Sequence, residues 1–205
     1  MEETNFNPEK ETTRLEAFSD GVFAVAITLL ALEIAIPRGV PENNQALREA
    51  IFSQWTRYLA YFNSFATVLL MWMAHHSIFR IIRRTSGRLM LANGLLLLVI
   101  VLVPFPTKTM GEFINTPARD TAVQFYTGYF ILVSITFNLL IWVVSRNRDI
   151  LSLGVTRQQT RRLQLLQLRG LFFNGLIFAV AFFNAWVALA MSIATWVFWA
   201  ILIRD

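Results

Sequence analysis

Arg14-x-x-x-Phe18-Ser19-Asp20-Gly21-Val22-Phe23-Ala24-Val25-Ala26-Ile27-Thr28-Leu29-Leu30-Ala31-Leu32-Glu33 is the stretch that decides the fold. It has the length and apolar character of a membrane-spanning helix. Yet it carries a carboxylate near its start, two hydroxyls, a flanking arginine and a closing glutamate. Ionisable groups at membrane depth are costly, so they pair inside a helix bundle or line a water-filled path. The stretch therefore predicts a helix bound for lipid and makes a path for ions or protons the first functional reading.

The rest of the chain agrees with a membrane setting. It has 205 residues, of which 56% are hydrophobic and only 15% charged, against a usual charged share of about a quarter. Mean hydropathy is +0.52, so the apolar surplus must face lipid. The net charge of +5 does not point to nucleic acid, because the Lys and Arg residues gather in loops between apolar runs, where membrane topology puts them. Cysteine is absent, which removes disulfides, thiolate metal sites and a thiol nucleophile. Residues 1–20 hold two basic and six acidic side chains, so the positive n-region of a signal peptide is missing. Residues 1–13 read as a polar cytoplasmic tail and residues 14–205 as one transmembrane domain.

Working outward, apolar stretches cover about 15–36, 55–79, 88–105, 121–144 and 168–203. A span needs roughly 20 residues, and the last stretch is long enough for two short helices turning near Asn184. The expected fold is thus all-α, an integral membrane protein with six transmembrane helices per subunit. Arg80, Arg83, Arg84 and Arg88 fill one loop, and Arg146, Arg148, Arg157, Arg161, Arg162 and Arg169 another. Basic loops stay cytoplasmic, which places both termini inside a multi-pass protein of the cell membrane. Pro37, Gly39 and Pro41 end the first span, residues 45–54 suit a short interfacial helix, and Pro104 and Pro106 close the third span. Residues 157–169 read as an extension of the fifth helix. Trp55, Trp142 and Trp199 fall at membrane borders, where indoles prefer to lie.

Helical arithmetic at 100° per residue sorts the first helix. Phe18, Gly21, Val25, Thr28, Leu29 and Leu32 share one face, while Ala17, Ala24 and Ala31 form a neighbouring strip of small residues suited to close helix packing. Asp20 points elsewhere. His75 and His76, near the end of the second span, sit at the same depth as Asp20, with Arg14 just below. A carboxylate, an imidazole and a guanidinium can satisfy one another there, as a helix lock or as a gating or pH-sensing cluster. Adjacent histidines diverge on a helix and no third ligand is evident, so no metal site and no cofactor is expected. Glu33, at the outer end, is either a solvated interfacial carboxylate or a cation attractor at a pore mouth.

These residues resemble the transmembrane-protein-175 family of potassium channels. The resemblance rests on Arg14-x-x-x-Phe18-Ser19-Asp20-Gly21, Thr28-Leu29-Leu30 and Pro37. It continues through Ser64-Phe65, Trp72-x-x-His75-His76-x-x-Phe79, and Leu95 to Val103 followed by Pro104-Phe105-Pro106-Thr107. It implies a single-repeat subunit of the bacterial type, a homotetramer and a central pore lined by the first helix. Val25, Thr28, Leu29 and Leu32 would form the constriction, with Val25 smaller than the Ile or Leu the family often has. The Thr-Val-Gly-Tyr-Gly filter of ordinary potassium channels is absent from the sequence.

The functional expectation is a potassium-permeable cation channel whose apolar neck closes by dewetting, embedded in lipid and conducting monovalent cations. The alternative is a proton-conducting or proton-coupled transporter using Asp20 and His75/His76. An enzyme is not expected, because no nucleophile–base pair or metal triad stands at workable spacing.

Overall fold

The computed structural model describes residues 8–202, with side chains over residues 11–198. Helix α1 (Pro8–Leu32) starts before Arg14, so residues 8–13 of the expected tail are its first turns, and Pro8 stands where a missing N–H costs nothing. Residues 1–7 of that tail, and the side chain of Trp199, lie outside the described residues.

Gly39, at φ 81°, takes the left-handed turn that glycine adopts without strain. The chain then enters α2 (Asn44–Ser53), the short helix expected over 45–54. Its cap is Asn43, whose side chain accepts from the Ala46 N–H at 2.8 Å. Helix α3 (Trp55–Phe79) follows directly. Helix α4 (Gly87–Val101) is capped by Ser86, which accepts from the Leu89 N–H at 3.3 Å.

The reading of Pro104 and Pro106 as the close of the third span is corrected here. Helix α5 (Pro104–Phe113) restarts at once with Pro104 in its first turn, where proline is tolerated because its absent N–H has no partner to lose. Gly87–Phe113 is therefore one apolar span of 27 residues, interrupted only at Leu102 and Val103.

Helix α6 (Arg119–Arg146) is the longest, with 28 residues. Helix α7 (Arg157–Ala181) opens on a capping box formed by Thr156 and Gln159, a reciprocal pairing that satisfies two orphan donors. Its start at Arg157 bears out the expected extension. Asn184 then accepts from the Trp186 and Val187 N–H groups at 3.0 and 3.1 Å and starts α8 (Ala185–Leu202). Asn184 is therefore the turn the sequence suggested.

Among the described residues the structure is all-helical, with a 3₁₀ turn at Arg148–Ile150 and one isolated bridge between Ile82 and Leu151. Four segments are long and apolar enough to cross a membrane: Glu11–Leu32, Gly87–Phe113, Arg119–Arg146 and Arg157–Ala181. Helix α3 is as long, at 25 residues, but carries Arg57, Asn63, His75 and His76. Helix α8 is apolar but shorter.

Helix α6 is the central post and packs on α4, α5, α7 and α8, whereas α1 leans on α3 and α4. The core runs through Leu96, Ile100, Val133, Leu140 and Ile141, all buried. Polar pins cross it: Ser64 Oγ lies 2.8 Å from Thr107 Oγ1 and 3.0 Å from Tyr126 Oη. Asn63 Nδ2 donates to Tyr126 Oη and to Ser192 Oγ, both at 3.0 Å. Such bonds hold transmembrane helices where hydrocarbon offers no competing partner.

Helices α3 and α5 approach most closely at Gly111. Its carbonyl accepts from Thr56 Oγ1 at 3.0 Å, and a Cβ there would stand 3.3 Å from both Ala60 Cβ and Arg57 Cα. Gly111→Val should push the helices apart and cost about 1–3 kcal/mol, read as a lower midpoint in a denaturing-detergent titration.

Candidate functional site

Helix α1 has two unlike faces. Ser19, Phe23, Ala26 and Leu30 are buried against α3 and α4. On the other side Phe18 is 64% exposed, Val25 51%, Leu29 37% and Leu32 73%, and Gly21 and Thr28 are exposed with them. All six residues of the face the helical arithmetic selected are thus without cover in the subunit. The strip of Ala17, Ala24 and Ala31 is exposed too. An apolar stripe with small residues beside it is what close approach of further helices requires.

Thr28 lies in the middle of the open face. Its Oγ1 donates to the Val25 carbonyl at 2.8 Å, the local bond a lone helical hydroxyl usually makes. The proton is thereby held on the backbone, and the oxygen lone pairs are left as acceptors.

The anchor side differs from the expected cluster. Asp20 Oδ1 accepts from Trp72 Nε1 at 2.8 Å and takes no bond from a histidine. His76 Nδ1 lies 3.1 Å from Glu16 Oε1, and its ring stacks on Trp72 at 5.9 Å. His75 Nε2 donates to Asn93 Oδ1 at 2.9 Å, and Asn93 Nδ2 donates to Ser19 Oγ at 2.9 Å. Since Asn93 Oδ1 can only accept, this fixes the Nε2–H tautomer of His75. Ser19 in turn donates to the Leu15 carbonyl at 2.8 Å. Nδ1 of His75 has no hydrogen-bond partner among the described residues, and the ring lies between Phe79 at 4.3 Å and Phe23 at 5.4 Å.

Arg14 is exposed and forms no ion pair among the described residues. The Arg14–Asp20–His75/His76 cluster is therefore corrected to separate rungs: Glu16–His76, Asp20–Trp72 and Ser19–Asn93–His75. Depth along antiparallel helices brought the right elements together, but side-chain direction chose other partners. Phe18 and Gly21, grouped with these by motif, belong to the open face.

Glu33, expected as a solvated interfacial carboxylate or as a cation attractor at a pore mouth, is paired with Lys108 Nζ of α5 at 3.2 Å. Glu16, Asn93 and Lys108 went unrecognised in the sequence. Glu16 lies one turn before Asp20, which places both on one side of the helix. Asn93 is a lone amide in the otherwise apolar α4, and a buried amide there needs partners. Lys108 gave no comparable signal. No cluster of three or more potential metal ligands exists among the described residues.

An all-helical bundle with several helices long and apolar enough to cross a membrane, and with ionisable groups held between them, belongs to the class of integral membrane proteins. Comparison with known proteins agrees. The family model described as "Endosomal/lysosomal potassium channel TMEM175" matches residues 14–104. A potassium channel of Chamaesiphon minutus is 36% identical, over 94% of this chain and 95% of its own. The human endosomal/lysosomal proton channel TMEM175 is 35% identical over 64% of this chain but only 27% of its own length. The crystal structure of a lysosomal potassium-selective channel TMEM175 homolog from Chamaesiphon minutus superposes with a TM-score of 0.85 at 34% identity, covering 96% of this chain and all of that one. The chain belongs to the TMEM175 family. It is an ion channel and not an enzyme.

Proposed function

We propose that the chain is a potassium-permeable cation channel in which four subunits meet around α1. In this reading Val25, Thr28, Leu29 and Leu32 line a narrow neck, with no carbonyl filter. The observation that carries it is the uncovered α1 face, on which Phe18, Gly21, Val25, Thr28, Leu29 and Leu32 stand beside an exposed strip of alanines. The potassium-channel names of the Chamaesiphon relatives support the choice of ion. Six spans follow if α3 and α8 cross with the four apolar segments, and the arginine-rich loops then put both termini in the cytoplasm. Residues 14–205 form the channel domain, and the segment before Arg14 lies on the cytoplasmic side.

Apolar necks conduct when they widen enough to hydrate. A ring of four Thr28 oxygens, each with its proton held by the Val25 carbonyl, offers a passing cation lone pairs at the narrowest level. The Asp20–Trp72, Glu16–His76 and Ser19–Asn93 contacts set the angle of α1 and hence the width. Potassium and sodium flux into liposomes holding the purified protein tests the reading. Thr28→Ala should change the potassium-to-sodium ratio with assembly intact, and unchanged ratios would remove Thr28 from the neck.

Lys108→Gln frees Glu33 at the pore mouth. Stability should fall by less than about 1 kcal/mol, as for other half-exposed pairs, while potassium flux rises most at low salt. A flux increase that persists in high salt would contradict an electrostatic origin. The proton-relay alternative loses its main contact, since Asp20 bonds Trp72 and neither histidine. Proton uptake driven by a potassium gradient, lost in Asp20→Asn, would revive it.

A further inference from the structure

Away from α1, helices α3, α6, α7 and α8 enclose a partly open crevice of about 470 Å³. On α3 it runs from Thr67 to Arg80, a rise of about 20 Å. That volume is the room open to the centre of a water molecule, about 24 Å² in mean cross-section, which with a water radius of about 1.4 Å on each side leaves about 8 Å between walls, whereas a helix with side chains needs about 10–12 Å. No helix of a second copy fits. A single file of methylene groups, with carbon contacts near 4 Å, does.

The walls suit such a chain. Met71, Phe130, Phe137, Leu163 and Ile177 line it. Four of the lining hydroxyls are spent on their own helices: Thr67 donates to the Asn63 carbonyl, Ser77 to Met73, Thr127 to Val123 and Thr195 to Met191, at 2.7–2.9 Å. Tyr126, Ser134 and Ser192 are held across helices instead, Tyr126 by Asn63 and Ser64, Ser192 by Asn63 and Ser134 by Asn174. At the end of α3 the crevice is lined by Arg80, an exposed residue whose guanidinium makes no hydrogen bond or ion pair among the described residues. His76 beside it is engaged by Glu16.

We infer that this crevice holds one acyl chain of an anionic phospholipid from the leaflet at the Arg80 end, with the phosphate on Arg80. Charge complementarity selects the head, and the width of the crevice selects the tail. The site rests on the membrane-spanning reading and not on the pore. It bears on the pore all the same, because Trp72 and His76 both line the crevice and both hold α1 on their other side.

The test uses the whole protein in phosphatidylcholine bilayers containing a minor fraction of phosphatidylglycerol with brominated chains, a contact quencher of indole. Matched bilayers carry the same chains on phosphatidylcholine. Trp196 lines the crevice and reports on its occupant. Brominated phosphatidylglycerol should quench more, by an excess matching about fivefold enrichment for one basic side chain near the surface. The excess should shrink in Trp196→Phe to the part carried by Trp72, which also lines the crevice, and it should vanish in Arg80→Gln. It should vanish too in Gly170→Leu, which fills the crevice at a position where a Cβ meets nothing within 4 Å. Equal quenching by the two brominated lipids, or an excess that survives Gly170→Leu or Arg80→Gln, overturns the proposal. Stronger quenching by a brominated long-chain carboxylate than by phosphatidylglycerol also overturns it, in favour of a free single-chain anion.

Discussion

Val25→Trp extinguishes cation flux: liposomes bearing the variant should release potassium no faster than protein-free vesicles, while the protein keeps the elution volume and unfolding midpoint of the wild type. Val25 is half-exposed and stands on the uncovered side of α1, so an indole there has room within its own subunit. Surface substitutions of this kind usually shift stability by no more than about 0.5 kcal/mol. In the proposed tetramer the same change puts four indoles at one level of the neck. Phe23→Ala supplies the contrast. Only two residues away but on the packed side, Phe23 is 1% exposed, and its truncation should cost about 3–5 kcal/mol. A Val25→Trp channel that still conducts would take α1 off the axis.

Asn93→Leu should lower stability by about 2–4 kcal/mol and loosen α1 without touching the neck. Asn93 joins Ser19 of α1 to His75 of α3 through both ends of its amide. Lost interhelical bonds in a membrane average about 0.6 kcal/mol each. The larger part comes from the His75 Nε2–H, left buried without an acceptor at about 1–3 kcal/mol. Nδ1 of the same ring already has no hydrogen-bond partner among the described residues, so the imidazole would be wholly unbonded. Removing both partners is cheaper than removing one. Asn93→Leu with His75→Phe should therefore recover more than half of the loss, measured by detergent-titration midpoints. Failure of the second change to restore stability would show that the bridge is not what fixes the two helices.

The open face of α1 was legible because helical periodicity is a local property: Phe18, Gly21, Val25, Thr28, Leu29 and Leu32 follow from spacing alone. Asn184 is local as well, and it marks a helix start because short polar side chains cap orphan N–H groups; Asn43, Ser86 and Thr156 carry the same signal and were not singled out in the sequence. The anchor pairs were not legible, because partner choice depends on the rotation of α3 and α4 about their axes. Depth placed Asp20 near His75 and His76, yet rotation gave Asp20 to Trp72 and brought in Glu16 and Asn93. Pro104 misled for a related reason. A proline ends one helix or opens the next, and only the immediate restart of the chain at α5 decides which.

The backbone pairing around Ile82 and Leu151 has a mechanical consequence. Arg83 N–H donates to the Ile150 carbonyl at 2.7 Å, and Ser152 N–H to the Ile81 carbonyl at 2.9 Å. Thr12 donates to the Arg83 carbonyl at 3.1 Å, and Thr85 to Glu11 at 2.9 Å. The foot of α1 is thus tied to the loop between α3 and α4, which is itself paired with the loop before α7, so a piston stroke would break these bonds whereas a swing about this pivot would keep them. From Thr12 to Leu32 the lever is about 30 Å long, and a tilt of about 5° sweeps its outer end, where Glu33 meets Lys108, through about 3 Å.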